Sequence, residues 1–306
     1  MSPAKEQPVE VGVDGRTLRL TNLSKVFWPE TGFTKGQMID YYTRVAPALL
    51  PHLRDRALTL KRYPNGITGQ MFYEKNCPAH RPPWIRTARV WSDGNNRWMY
   101  YCVIQDLPSL VWIAQLGTVE LHTSLATRKR DQPGSMVFDL DPGPPATIVE
   151  CCQVALWIRE WLAERGLSAV CKTSGSKGMQ LYVPLNAPTD YEQTKRVSRG
   201  LAEQMHREHP QHVVYLQRKD LRGGKVLIDW SQNDPYKTTV SVYSLRARER
   251  QTVSTPITWE EVERCHSERD PGVLVFESED VLRRIDESED LFAELLTLKQ
   301  KLPQEV

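Results

Sequence analysis

Apolar and polar residues alternate with a period of two over Ser135–Asp141, SMVFDLD, immediately before the breaker Pro142-Gly143. Met136, Phe138 and Leu140 fall on one face and Val137, Asp139 and Asp141 on the other, the pattern of a strand with a buried side. Shorter strand-like runs cover Thr17–Leu23, Leu58–Tyr63, Met71–Lys75, Val119–His122, Leu167–Lys172, Met179–Pro184, Val213–Leu216, Val226–Trp230 and Thr238–Ser244. Elsewhere the period lengthens to that of a helix. Thr34 and Gln37 make a capping box that opens a helix through Met38, Tyr41, Tyr42, Val45 and Leu49, and Pro47 is predicted to kink or split it. Asp106 caps a helix carrying Leu107, Leu110, Val111 and Ala114, stopped by Gly117. The pairs Thr147/Glu150, Thr189/Glu192 and Thr258/Glu261 open three more, and a last amphipathic helix begins near Val281. Trp84, Trp91 and Trp98 punctuate a β-like region containing the turn Asp93-Gly94-Asn95, and residues 1–15 read as a loose polar arm. Strands and helices are mixed without regular βαβ order, which predicts an α/β (α+β) chain.

A length of 306 residues allows one large domain or two smaller ones, and a net charge of +2 is too mild to prove a polyanionic partner. The six cysteines, Cys77, Cys102, Cys151, Cys152, Cys171 and Cys265, form no CxxC pair and predict a reduced, intracellular protein. Cys77-Pro-Ala-His80 offers half of a zinc spacing without a second half. No signal peptide opens the chain and no apolar run is long enough for a bilayer, so a soluble, cytoplasmic protein with no membrane partner is expected.

Charge placement adds chemistry to this frame. Asp139 and Asp141 stand about 7 Å apart along their strand, and two such carboxylates repel unless a cation lies between them. Hard divalent ions accept oxygen sites of this kind. Asp229 ends the apolar strand Val226-Leu227-Ile228, an uncommon place for a lone carboxylate. Ser174-Gly175-Ser176-Lys177-Gly178 joins two strands with the glycines, hydroxyls and lysine of a phosphate cradle, though without Walker A spacing. Arg222 and Arg246 flank the following strands, and Arg128-Lys129-Arg130 is a basic run. Lys35 lies in the first turn of its helix, the wrong end for a cation, where free amides and the dipole would favour a bound phosphate. Of Phe72 and Tyr73, one is predicted exposed beside lysines, as suits base stacking. Together the three acids, the phosphate loop and the flanking arginines describe a nucleoside-triphosphate site built on a sheet.

Seven motifs carry a resemblance: LTNLSKVFWPETGFTKG at 20–36, KRYPNG at 61–66, FYEK at 72–75, MVFDLDPG at 136–143, TSGSKG at 173–178, VLIDWSQND at 226–234 and KTTVSVYSLRAR at 237–248. In that order they resemble the polymerase domain of bacterial end-joining ligase D, a branch of the archaeo-eukaryotic primase superfamily, from about residue 16 to the last helix. The resemblance implies a primase-polymerase fold with central mixed or antiparallel sheets and flanking helices. It implies one domain over 16–300, with an N-terminal part to about 130 and an RRM-like catalytic part from about 131.

The same resemblance implies roles. Asp139, Asp141 and Asp229 match metal-binding catalytic acids for two Mn²⁺ or Mg²⁺ ions. Lys61, His122, Ser174, Lys177, Gln180, Arg222 and Arg246 match positions around the incoming NTP or dNTP. Lys25 and Lys35 match a grip on the DNA 5′-phosphate, and Phe72 and Tyr73 match aromatics against the template. One position departs, since Gln180 stands where the superfamily has histidine, and an amide cannot carry positive charge. The implied activity is metal-dependent, template-directed nucleotide addition at gaps and double-strand breaks in non-homologous end joining, with ribonucleotides preferred. Ku and a separate ligase are the implied partners, since no ligase or nuclease module fits within the chain, which is then a free-standing polymerase or an excised domain. A non-catalytic end-bridging module and a de novo primase are the competing expectations.

Overall fold

The computed structural model describes residues 6–92, 96–127 and 130–303. The predicted turn at Asp93-Gly94-Asn95 and the first two residues of the Arg128–Arg130 run lie outside the described residues, as does the start of the predicted arm. The chain divides into two units that do not follow sequence order. One holds residues 1–123, 243–253 and 277–289; the other holds 124–242, 254–276 and 290–306.

In the first unit, antiparallel strands Thr118–Thr123, Leu58–Arg62, Arg97–Val103 and Arg86–Ser92 lie in that spatial order, and Phe72–Glu74 also pairs with Leu58–Arg62. The helix Lys35–Leu53 starts at the Thr34/Gln37 capping box and continues through Pro47 and Pro51, so it is not split at Pro47. A proline inside a helix costs about 3 kcal/mol. The buried stripe of Met38, Tyr41, Tyr42, Val45, Leu49 and Leu53 outweighs it. Tyr41 and Tyr42 also donate to the carbonyls of Tyr243 and Val119. The loose arm is a strand over Val9–Val13, paired with Arg16–Leu20. Between them Asp14 and Gly15 have φ of 44° and 75°, the signature of a tight hairpin turn. Cys77 and Cys102 form a disulfide, contrary to the all-thiol expectation. The Cys77 amide donates to the Tyr100 carbonyl and thereby lays its segment across the strand that carries Cys102. No local cysteine spacing could signal that contact.

In the second unit, six strands lie in the order Val213–Val214, Val226–Asp229, Ser135–Pro142, Met179–Pro184, Val170–Thr173 and Pro256–Ile257. All pairs are antiparallel except the first. Met136, Phe138 and Leu140 are fully buried with Leu181, Val183, Ile228 and the inner faces of helices Ile148–Ala163, Tyr191–Glu208 and Trp259–Glu268. The alternation of the central strand thus holds, and Asp139 and Asp141 point away from this core. Asp190 rather than Thr189 caps the helix Tyr191–Glu208. The run predicted as a strand over Thr238–Ser244 is one only at Thr239–Val240, since Tyr243 turns to φ 63°. Among the described residues, no helix is long and apolar enough to cross a membrane.

Candidate active site

Strand pairing, not sequence proximity, builds the acid cluster. Asp139 is directly opposite Asp229 on one side and opposite Gln180 on the other, while Asp141 lies one pleat further along the same face. Asn233, fully buried, fixes the turn that follows Asp229: it accepts from the Val137 amide at 2.8 Å and donates to the Val137 carbonyl at 2.7 Å. The two acid-bearing strands are therefore joined by side-chain as well as ladder bonds.

Crowding shows in the electrostatics. Burial and the neighbouring Asp141 push the Asp139 carboxyl up to about 7, against a hydrogen bond from Gln180 and the charge of Lys172. Burial and Asp229 also push Asp141 up, opposed by Arg222. Asp229 accepts from the Ser231 amide at 2.9 Å, the Ser231 hydroxyl at 2.6 Å and Gln232 at 3.1 Å. No three His, Cys, Asp or Glu side chains converge as a finished metal cage among the described residues. The donor chemistry nevertheless fits a hard divalent cation: three carboxylates on one face, two of them held up in pKa by burial and by a neighbouring carboxylate whose repulsion a cation would offset.

The Ser174–Gly178 loop closes on the same strand. A Cβ on Gly178 would lie 1.9 Å from the Leu140 carbonyl oxygen, so glycine alone lets the loop approach between the two aspartates. A Cβ on Gly143 would likewise fall 1.9 Å from the carbonyl oxygen of Arg222. Ser174 Oγ accepts from the amides of Ser176 and Gly178, both at 3.2 Å, so the hydroxyl predicted to meet an anion shapes the loop itself. Lys177 is exposed at the loop's tip. Arg222 donates to Gln217, and its buried Nε has no partner among the described residues.

Lys61, His122 and Arg246 gather in the first unit around a residue that sequence reading passed over, Glu120. This carboxylate, 2% exposed, lies 3.0 Å from Lys61, 2.9 Å from His122 and 3.5 Å from Arg246, and accepts from the Ala247 amide. Burial pushes Glu120 up, but the bond from His122 and the charges of Arg246, His122 and Lys61 outweigh it and hold the carboxyl well below its usual range. Burial lowers His122, against the pull of Glu120. The alternation of Thr118–Thr123, which puts Glu120 and His122 on one face, was the available signal. Tyr73 packs edge-on to His122 at 6.3 Å. Phe72 and Tyr73 are 39% and 49% exposed, so both rings are available where one was predicted, because among the described residues Phe72–Glu74 pairs only with Leu60–Arg62.

At the start of the long helix, the predicted free amides are satisfied within the chain. Lys35 and Gly36 amides donate to the carbonyls of Lys25 and Leu23, and Gln37 to the Thr34 hydroxyl. Lys35 is buried with Nζ on the Thr21 carbonyl at 2.8 Å, and Lys25 donates to Pro64 and Asn65. Burial, then the charge of Lys25, lowers Lys35 to about 8.

The chain is similar to several known proteins. A family model described as the LigD primase-polymerase domain matches residues 34–292. The multifunctional non-homologous end joining protein LigD of Mycolicibacterium smegmatis is 37% identical over 281 residues, 91% of this chain and 36% of that protein. Its Mycobacterium tuberculosis counterpart is 37% identical over 286 residues, 90% and 36% of the two chains. The bifunctional LigD of Bacillus subtilis is 31% identical over 247 residues, 80% and 39%. The chain thus spans 36–39% of the length of these relatives. Among solved structures, the polymerase domain of M. tuberculosis ligase D in complex with DNA superposes with a TM-score of 0.85 at 36% identity, covering 92% of this chain and 99% of that one.

Proposed function

The chain belongs to the LigD primase-polymerase domain family, and from that premise we propose that it is a template-directed nucleotidyltransferase that extends primers and fills gaps at broken DNA during non-homologous end joining. The observation that carries this reading is the direct pairing of Asp139 with Asp229, with Asp141 one pleat on and the Gly178 loop closed against the strand between them. Asp139, Asp141 and Asp229 are the residues that would hold Mn²⁺ or Mg²⁺, two ions in the full site. Bound there, such ions supply Lewis-acid stabilisation of phosphoryl oxygens and activation of a 3′-hydroxyl.

The protein's own side chains do the remaining work in this account. Lys177 and Arg222 in the second unit offset charge on the triphosphate, with Ser174 shaping the loop and Gln180 donating from its amide to Asp139. In the first unit, Lys61, His122 and Arg246, drawn together and oriented by Glu120, are the groups offered to a nucleotide. Lys25 and Lys35 grip a 5′-phosphate, and the exposed rings of Phe72 and Tyr73 offer stacking surface to template bases. The DNA named with the M. tuberculosis neighbour supports a nucleic-acid partner. Nucleoside triphosphates as substrate, ribonucleotide preference, and Ku with a separate ligase as partners are further parts of the proposal, as is a cytoplasmic location.

The test is extension on a 5′-phosphorylated gapped duplex with Mn²⁺, offering ribo- and deoxynucleotides separately. Addition dictated by the template base, faster with ribonucleotides, is the expected result. Products from single-stranded template without a primer would make it a de novo primase instead. Gap binding without addition would make it an end-bridging module.

A further inference from the structure

Four directly paired positions cross four adjacent strands of the second unit's sheet: Lys172, Gln180, Asp139 and Asp229. Directly opposed residues project from the same face, so this is one continuous polar row. Its two ends are unlike, a lysine on one side and two acids on the other, with a neutral amide between. Lys172 is 1% exposed, and its Nζ lies 2.6 Å from Gln180 Oε1 and 2.7 Å from Ser254 Oγ. Gln180 Nε2 donates to Asp139 Oδ1 at 3.0 Å. An ammonium only donates and a carboxylate only accepts, so chemistry on both sides fixes which way the amide lies.

Asp229 has a connection of the same form. Lys237 Nζ donates to Ser231 Oγ at 2.6 Å, and that hydroxyl donates to Asp229 Oδ1 at 2.6 Å. Each lysine thus stands one neutral side chain behind one carboxylate. Such an intermediary holds the carboxylate's rotamer without cancelling the negative charge that a cation needs. Gln180 itself carries no charge, and Lys172 behind it returns a positive charge to the row.

We propose that Lys172 and Lys237 are positioning residues of the acid pair, each fixing the neutral group, Gln180 or Ser231, in the orientation in which it donates to Asp139 or Asp229. This rests on reading those acids as cation ligands. Other outer groups around metal sites act in this way, and their loss commonly costs about tenfold or more in metal affinity or activity.

The sign of the effect makes the proposal testable. Simple removal of a nearby positive charge would tighten binding of a divalent cation, whereas loss of carboxylate orientation weakens it. Mn²⁺ binding to the full chain, followed by the electron paramagnetic resonance of the free ion without nucleotide, should weaken about tenfold in Lys172→Met. The double variant Lys172→Met/Gln180→Met should bind no more weakly than Gln180→Met alone, since both act through one connection. In primer extension, kcat should fall about tenfold in Lys172→Met while the nucleotide KM changes less than twofold. Lys237→Met and Ser231→Ala repeat the comparison at a less buried position, should the Lys172 variants fail to fold. Unchanged or tighter Mn²⁺ binding, or losses that multiply in the double variants, would overturn the proposal. Wild-type protein that binds no Mn²⁺ would instead overturn the metal reading beneath it, a result seen before any variant is compared.

Discussion

Asp139 and Asp229, ninety residues apart in the chain, occupy directly opposed positions on neighbouring antiparallel strands. Opposed residues have Cα atoms roughly 4.5–5.5 Å apart, and like charges so placed destabilise a sheet. A sheet that keeps them, with Asp141 on the same face, retains a local repulsion that a cation removes.

That repulsion has a pH signature. Asp139 titrates near 7 in the folded chain, above its ordinary 3.8. The folded state therefore binds this proton more tightly than the unfolded state does. The stability it contributes is full below about pH 4 and is lost as pH rises through 7. In metal-free buffer, Asp139→Asn should be more stable than wild type at pH 8, by a few kcal/mol at about 1.4 kcal/mol per pKa unit. The difference should shrink toward pH 5. Urea midpoints at both pH values check it, and equal midpoints at pH 8 would contradict the crowding.

Gly178→Ala places a Cβ 1.9 Å from the Leu140 carbonyl oxygen, which only backbone movement can relieve. Overpacking of this kind costs about 1–3 kcal/mol, and the displaced loop should raise the nucleotide KM at least tenfold. A variant with wild-type stability and KM would show that the loop does not need this approach.

Glu120→Gln removes the negative charge that Lys61, His122 and Arg246 share. Breaking such a buried cluster costs about 3–5 kcal/mol. Because Glu120 is the group that pulls His122 upward, the His122 pKa should fall further below its ordinary value in the variant. Imidazole chemical shifts across a pH titration report this directly, and an upward move would refute it.

At the long helix, a lysine lowered to about 8 must be protonated to hold a phosphate well. Preference for 5′-phosphorylated over 5′-hydroxyl gaps should be full at pH 7 and decline as pH rises through 8 to 9. Lys35→Met should lose the preference at every pH. A preference that persists unchanged to pH 9.5 would remove Lys35 from the role.

These sites differ in how far the sequence could disclose them. The alternation of Ser135–Asp141 contained the buried face and both aspartates, because a strand's two faces are written in its period. Capping boxes at Thr34, Thr147 and Thr258 likewise marked helix starts, since the cap is a local bond. What stayed hidden depends on register between distant segments: the Glu120 cluster, the row ending at Lys172, and the Cys77–Cys102 bond. The amides at Lys35 and Gly36 misled for the same reason, being satisfied by carbonyls of the preceding segment. Pro47 does not split its helix, because its local penalty is smaller than the burial of the face around it.

The central claim is that Asp139, Asp141 and Asp229 form one site for nucleotide addition, and Asp229→Ala tests it most directly. Single-nucleotide addition to a 5′-phosphorylated gapped duplex would be timed with Mn²⁺, alongside gap binding by the same preparations. The account predicts template-directed addition by wild type and a loss of about a thousandfold or more in the variant, with binding of the gap retained. Addition by Asp229→Ala at the wild-type rate, or binding without addition by both proteins, would contradict it.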